Sequence, residues 1–410
     1  MIMSFGRHAL GALAIAAISV TAAAPAASGH LPTAGTATGA AASNNEVASG
    51  AQWRLYDLPV QIGANLTGVA TVARDDAWAV GFTIPAKTAA ATAKPATAEA
   101  DVCDATGLPS LALHWDGVAW SQVPVPNLGR VNAVSASGRR NAWAAADCGV
   151  LRWDGRTWTR TAPVPIQGAA GFYYSGIKAI GAYDVWLSGF AWDGATGDSH
   201  GFVQHWDGVR WRLVDLPAVG SAFDLSSIDA GGPQDVWVGG TDYTDKATAG
   251  ERLLILHWNG YAWKRFPAPA STMVIQRVAR VRVVAAADVW IAGMGQRDPD
   301  GWDIDRPLIL HWNGTVWSDT HAAEERGDLR DIAADGRTVL AAGDTYSPLD
   351  DTFEAYVRRW TAGGWIPGAV PVSGLASISA LAPIPDGGMW AVGAAGDPTA
   401  LKPFIARTGR

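Results

Sequence analysis

Cysteine is almost missing from this chain: two residues, Cys103 and Cys148, among 410. That excludes a small fold held by several disulfides and any cysteine-rich metal site. Basic residues are not in excess. Lys and Arg number 31 against 38 Asp and Glu, a formal net charge of -7, which argues against nucleic acid as the main partner. Long apolar runs are scarce, and the one near the start, residues 9–20, is too short and too rich in Ala to span a bilayer. A Gly-rich phosphate loop, a spaced zinc-ligand set and a nucleophile elbow are all lacking.

The short apolar run has another reading. Arg7 and His8 precede it, and Ala24-Pro25-Ala26 follows as a small-x-small cleavage site. Residues 1–26 therefore read as a signal peptide, and residues 27–50, mostly Ala, Gly, Ser and Thr, as a disordered linker. With no Cys beside the cleavage point and no apolar tail, the expectation is a secreted, soluble monomer that does not insert into membranes. In oxidising surroundings Cys103 and Cys148 are expected to pair as a disulfide; the alternative is a pair of metal or redox thiols.

What the chain has in abundance is tryptophan, and it recurs by rule. His114-Trp115-Asp116-Gly117 is followed by Trp120, and the pattern returns at Arg152–Trp158, His205–Trp211, His257–Trp263 and His311–Trp317, then more loosely at Arg359–Trp365. Each copy reads as strand, turn, strand, with Asp-Gly or Asn-Gly suggesting a two-residue hairpin that needs positive φ. Ahead of each lies a segment such as Asp235-Val236-Trp237-Val238-Gly239-Gly240, and ahead of that a short apolar run. Four strands per unit, here a to d, at intervals of about 40 to 55 residues, is propeller-blade spacing.

Near the end, residues 404–409 resemble a strand c with no d after it. Near the start, residues 52–59 resemble a strand d with no c before it. Joined, they complete a seventh blade and remove two sheet edges. The predicted fold is all-β: a seven-bladed β-propeller over residues 51–410, closed by its N-terminal strand. Of the 21 Trp, only Trp192 and Trp302 fall outside the repeated slots. The repeated ones are packing residues. The His slot is read as structural, because equivalent positions on successive blades cannot converge.

The d–a and b–c loops share one face, and these loops carry the candidate site. Tyr173 precedes the third blade, Trp192 and Asp193 lie in its b–c loop, Tyr243 in the fourth, Trp302 and Asp303 in the fifth, Tyr346 in the sixth. Rings beside carboxylates suit a sugar, or a cationic peptide. Asp298, Asp300, Asp303 and Asp305, with an intervening Gly, form a possible calcium loop. Polar, Asp- and Gly-rich loops also arise simply because such residues make turns.

Val236-Trp237-Val238-Gly239-Gly240, followed by an apolar strand and Trp263, resembles a kelch repeat, the unit of the galactose oxidase central domain. The c–d turn is similar to the Asp-box of sialidase-type propellers, although here Asp116 abuts Gly117. The resemblance implies architecture. The copper site of galactose oxidase finds no pair of His in these loops. The Arg triad, Tyr and Glu of sialidases are not singled out by the spacing of Tyr173, Tyr174, Arg280, Arg282 and Glu354. The function expected is therefore a non-catalytic module binding a glycan or an extracellular partner through its d–a and b–c face. The alternative is a glycan-acting hydrolase or lyase using carboxylates in the central pocket.

Overall fold

The computed structural model describes residues 53–60, 63–84, 108–244, 250–298, 305–320, 326–347, 352–372, 374–385, 387–397 and 400–409. The expected signal peptide and linker, Cys103, Asp300, Trp302 and Asp303 lie outside them. All regular structure among the described residues is β-strand, in seven antiparallel sheets of four strands. The first blade is Ala64–Ala73, Asp76–Thr83, Ser110–Trp115 and Trp120–Gln122. In the seventh, Leu375–Pro383, Met389–Asp397 and Ala400–Thr408 are completed by Trp53–Leu55 from the other end of the chain. The closing register is Trp53 against Thr408, Arg54 against Arg407 and Leu55 against Ala406. The amide of Tyr56 extends it by donating to Ile405 O at 3.0 Å. This is the predicted closure.

Tryptophan fills the seams between blades. Each strand-b Trp meets the strand-c and strand-d Trp of the next blade: Trp78 lies 4.8 Å from Trp153 and 5.0 Å from Trp158, and Trp237 lies 5.8 Å from Trp312 and 5.6 Å from Trp317. The same triad recurs around Trp143, Trp186, Trp290 and Trp390. One seam departs from it. Between the sixth and seventh blades Leu340 stands in the strand-b slot and Thr408 in the strand-c slot, leaving Trp53 as the single indole.

The histidine slot is structural. Nε2 of His114, His205, His257 and His311 lies 2.8–3.0 Å from the Asp that opens strand b. Each ring lies over that strand's Trp, at 4.1 Å and 23° for His257 on Trp237. Arg152 and Arg407 take the slot over Trp143 and Trp390 instead.

The c–d turns correct one expectation. Trp115 pairs with Trp120, so the turn has four residues rather than two. Asp116 Oδ1 accepts from the amides of Val118 and Ala119 at 2.8 and 2.9 Å, and Gly117 takes a φ of 96°. An Asp or Asn is needed there to satisfy two turn amides, not to adopt positive φ itself. Only the looser sixth copy closes by a shorter turn, with Thr361 paired to Gly364.

Each strand a carries a β-bulge, as between Leu66 and Gly68 or between Leu225 and Ser227. The strand-b glycine faces this bulge. A Cβ at Gly81 would sit 1.9 Å from Asn65 O, and one at Gly240 2.0 Å from Asp224 O. The glycine that suggested a kelch repeat thus stands at a close backbone approach, a slot that Ala146 takes in the second blade.

Candidate functional site

The seven a strands surround the axis of the ring, and their later halves enclose a channel of about 190 Å³. Charges in that half are Lys178, Asp229, Arg280, Arg282 and Asp331, and they staple blade to blade. Lys178 Nζ lies 2.5 Å from Asp229, and Arg280 and Arg282 lie 3.2 and 3.3 Å from Asp331. Asp229 accepts from the amide of Val283, and Asp331 from that of Leu381, each at 2.9 Å. Ser135 and Ser227 accept from the next blade's Ala179 and Val281 amides, at 3.0 Å each. These groups are paired by charge within the wall, although Arg280 Nε lacks hydrogen-bond geometry to Asp331, and they leave little for a ligand.

The other half, before the bulges, opens toward the d–a and b–c loops. One slot there holds Asn65, Arg130, Tyr173, Asp224, Arg277, Asp328 and Ser377, which are equivalent by register. The bulge slot two residues on holds Thr67, Asn132, Ser175, Ser226, Ala279, Arg330 and Ser379. An apolar residue between the two slots packs into the seam. Every blade therefore offers polar groups at the same level of the channel mouth.

Around this mouth the signs alternate. Arg130 Nε donates to Asp147 at 3.2 Å, and Asn132 to the same carboxylate at 3.2 Å. Tyr243 Oη donates to Asp224 at 2.5 Å, which also accepts from Thr241 N at 3.1 Å. Arg277 grips Glu251 at two points, 2.5 and 2.8 Å. Arg330 Nε donates to Asp344 at 2.6 Å while its Nη2 lies 3.6 Å from Asp328. Ser377 Oγ lies 2.5 Å from Asp344.

Burial raises Tyr173 to about 12, with Arg130 opposing. Burial also raises Asp224, against the hydrogen bond from Tyr243. Asp328 is pushed up to about 6, first by loss of water; Arg330 opposes, and Asp344 and Asp305 add to the rise. Its side chain keeps 30% exposure, so channel water tempers the effect.

A carboxyl raised in the native state favours folding while it is protonated, and that contribution is lost as pH climbs through the native value. Stability of the wild type should therefore fall between about pH 4 and 6 on this account. Asp328→Asn should remove that fall and be the more stable protein at pH 7.5, by on the order of 1–2 kcal/mol after allowing for water. Urea unfolding at pH 4 and 7.5 measures it; equal differences at both pH values contradict it.

The loop residues expected to form the site divide. Tyr243 turns into the mouth, as its bond to Asp224 shows, and Tyr173 stands in the mouth slot of its strand a. Trp192 is 38% exposed and lies over Gly171, where a Cβ would meet its ring at 2.1 Å. Asp193 is engaged by its own turn, accepting from the amides of Ala195 and Thr196 at 2.7 and 2.9 Å, which hold it below the usual carboxylate range. Tyr346, 45% exposed, lies 5.1 Å from Phe353.

Of the possible calcium ligands, Asp298 and Asp305 are described, and Asp305 Oδ1 accepts from Gln296 at 2.6 Å. Among the described residues no three acids, His or Cys come together as a metal-holding group. Cys148 lies at the tip of the second blade's b–c turn, its amide donating to Leu128 O at 3.0 Å. The residues missed by reading loops alone, Asp224, Arg277, Asp328 and Arg330, sit on the innermost strands.

No family model and no curated protein matches the chain. Solved structures do. One, described as YCF48 bound to D1 peptide, is 13% identical with a TM-score of 0.52, covering 87% of this chain and 97% of that one. YCF48 from Cyanidioschyzon merolae gives 13% and 0.50, with 88% and 99% covered. A protein of unknown function from Dyadobacter fermentans gives 10% and 0.51, with 87% and 98% covered. The likeness is one of fold. Among the described residues no helix is long and apolar enough to cross a membrane.

Proposed function

We propose that this chain is a non-catalytic binding module that takes a segment of an extracellular partner, a polypeptide before a glycan, into the channel mouth on its d–a and b–c face. The observation that carries this reading is the polar ring at one level of seven a strands, whose Arg277, Arg330 and Asp328 pair with neighbours yet stay partly exposed at the mouth. An extended peptide presents amides and carbonyls in alternation, and such a ring can answer both. A glycan would be served better by open aromatic faces, and Tyr173 and Tyr243 are turned inward. That YCF48, alike in fold, is described with a peptide makes peptides the first ligands to try.

On the same reading the chain is exported by way of residues 1–26 and works as a monomer. Cys103 and Cys148 are joined, no cofactor is required, and Asp298, Asp300, Asp303 and Asp305 are the positions at which calcium is to be tested. A peptide array and a polysaccharide array, each with and without calcium, test the proposal. Tyr173→Ala should weaken the ligand found by about tenfold or more, and Trp192→Ala by less. The opposite order would place recognition on the outer loops and favour a glycan.

One feature supports the enzymatic alternative. Asp328, held near 6, and Asp344 share Arg330 and face one mouth, as an acid and a carboxylate acting on a glycan would. Turnover of any polysaccharide that is lost in Asp328→Asn would decide for it.

A further inference from the structure

The opposite face, where the a–b and c–d turns lie, carries a second cavity of about 660 Å³ where the seventh blade meets the first. It is lined by Arg54, Tyr56, Arg74, Trp115 and Arg407 among others. It exists because of how the ring closes. Within one blade, strands c and d are joined by a turn whose Asp can neutralise a basic strand d. In the third blade Arg212, opposite His205, is held by Asp207 of that turn at 2.7 Å. The seventh blade takes c and d from different ends of the chain, so no such turn and no such Asp exist there.

The outcome is a like-charge pair. Arg54 and Arg407 stand directly opposite in the ladder, an arrangement that costs stability unless something neutralises it. Neither has a carboxylate within salt-bridge distance among the described residues; Arg54 lies over Tyr56 at 5.1 Å and Arg407 over Trp390 at 5.2 Å. Arg407 Nε is buried with no acceptor. Arg74, from the first blade's a–b turn, also lines the cavity. The one carboxylate in the lining, Asp75, is bound by Arg139 of the second blade, whose hydrogen bond holds it below its usual value.

We propose that this seam is an anion site in which Arg54 and Arg407 bind a sulfate or phosphate ester. Guanidinium forks match tetrahedral oxyanions. The volume exceeds what a bare oxyanion fills and lies in the range of small-molecule sites, so the organic part of the ester rests against Tyr56.

Calorimetric titration of the full chain with inorganic phosphate, inorganic sulfate, glucose 6-phosphate and glucose 6-sulfate tests the proposal, in chloride-matched buffer. The sugar esters should bind more tightly than the free ions. Arg54→Gln and Arg407→Gln should each weaken every ligand that binds by about tenfold. Without ligand at low salt both variants should melt no lower than wild type, because a repulsion has been removed. Tyr173→Ala, on the other face, should leave these affinities unchanged, so this site and the channel mouth stand or fall separately. Free ions binding as tightly as their esters would limit the site to inorganic anions and overturn the ester assignment. Unchanged affinity in both Gln variants, or no binding by any of the four, would overturn the site altogether.

Discussion

Trp237→Ala should cost about 3–5 kcal/mol and lower the thermal midpoint by roughly 4–7 °C. The residue is 2% exposed and its ring meets His257, Phe266, Trp312 and Trp317 within 5.8 Å. Its Nε1 also donates to Asp235 at 2.8 Å, the Asp that holds His257. Removal therefore opens a void in the seam between the fourth and fifth blades and frees a carboxylate and an imidazole from their common ring. Chemical unfolding followed by fluorescence and circular dichroism gives the number. A cost near 1 kcal/mol, as expected for the half-exposed Trp192→Ala, would mean that the seams are not where the ring stores its stability.

Deleting residues 1–55 should be as severe, and should also change the state of association. The loss takes away Trp53, the single indole of the seam between the sixth and seventh blades, worth on the order of 3 kcal/mol. It also strips the ladder partner from Ala400–Thr408, leaving an unpaired edge at the outside of the blade. The shortened chain should melt lower than wild type by roughly 10 °C and self-associate in light scattering, each copy offering an edge to the next. A monomer of unchanged midpoint would show that closure by Trp53–Leu55 contributes nothing.

The architecture was legible because its cause is local and repeated. Tryptophan recurs wherever a blade must fill the space beside its neighbour, and residues 52–59 copy the residues of every other strand d closely enough to betray the missing partner at residue 404 onward. The turns were harder. Asp116-Gly117 is compatible with a two-residue hairpin, and only the pairing of Trp115 with Trp120 shows that the carboxylate serves the amides of a longer one.

The channel mouth was less legible still. Asp224, Asp328 and Arg330 sit in short strands that read as ordinary alternation, and a one-residue bulge decides which of them face the axis. The sign of that bulge was present in Gly240, and was taken as a mark of kinship rather than of backbone contact. Loop residues drew attention because rings and acids stand side by side there, yet Asp193 is occupied by its own turn.

The pairing of Trp53 with Thr408 also sets an order of events. While the polypeptide is being made, its first strand has no proper mate until the last has emerged, and every other blade can assemble in the meantime from neighbours in the chain. A waiting strand is a hazard, and a charge on it is a guard against adopting the wrong mate. Arg54 sits in the middle of that three-residue strand. The arginine that makes the finished join electrostatically awkward is thus also a charge of the kind that disfavours pairing with a wrong strand.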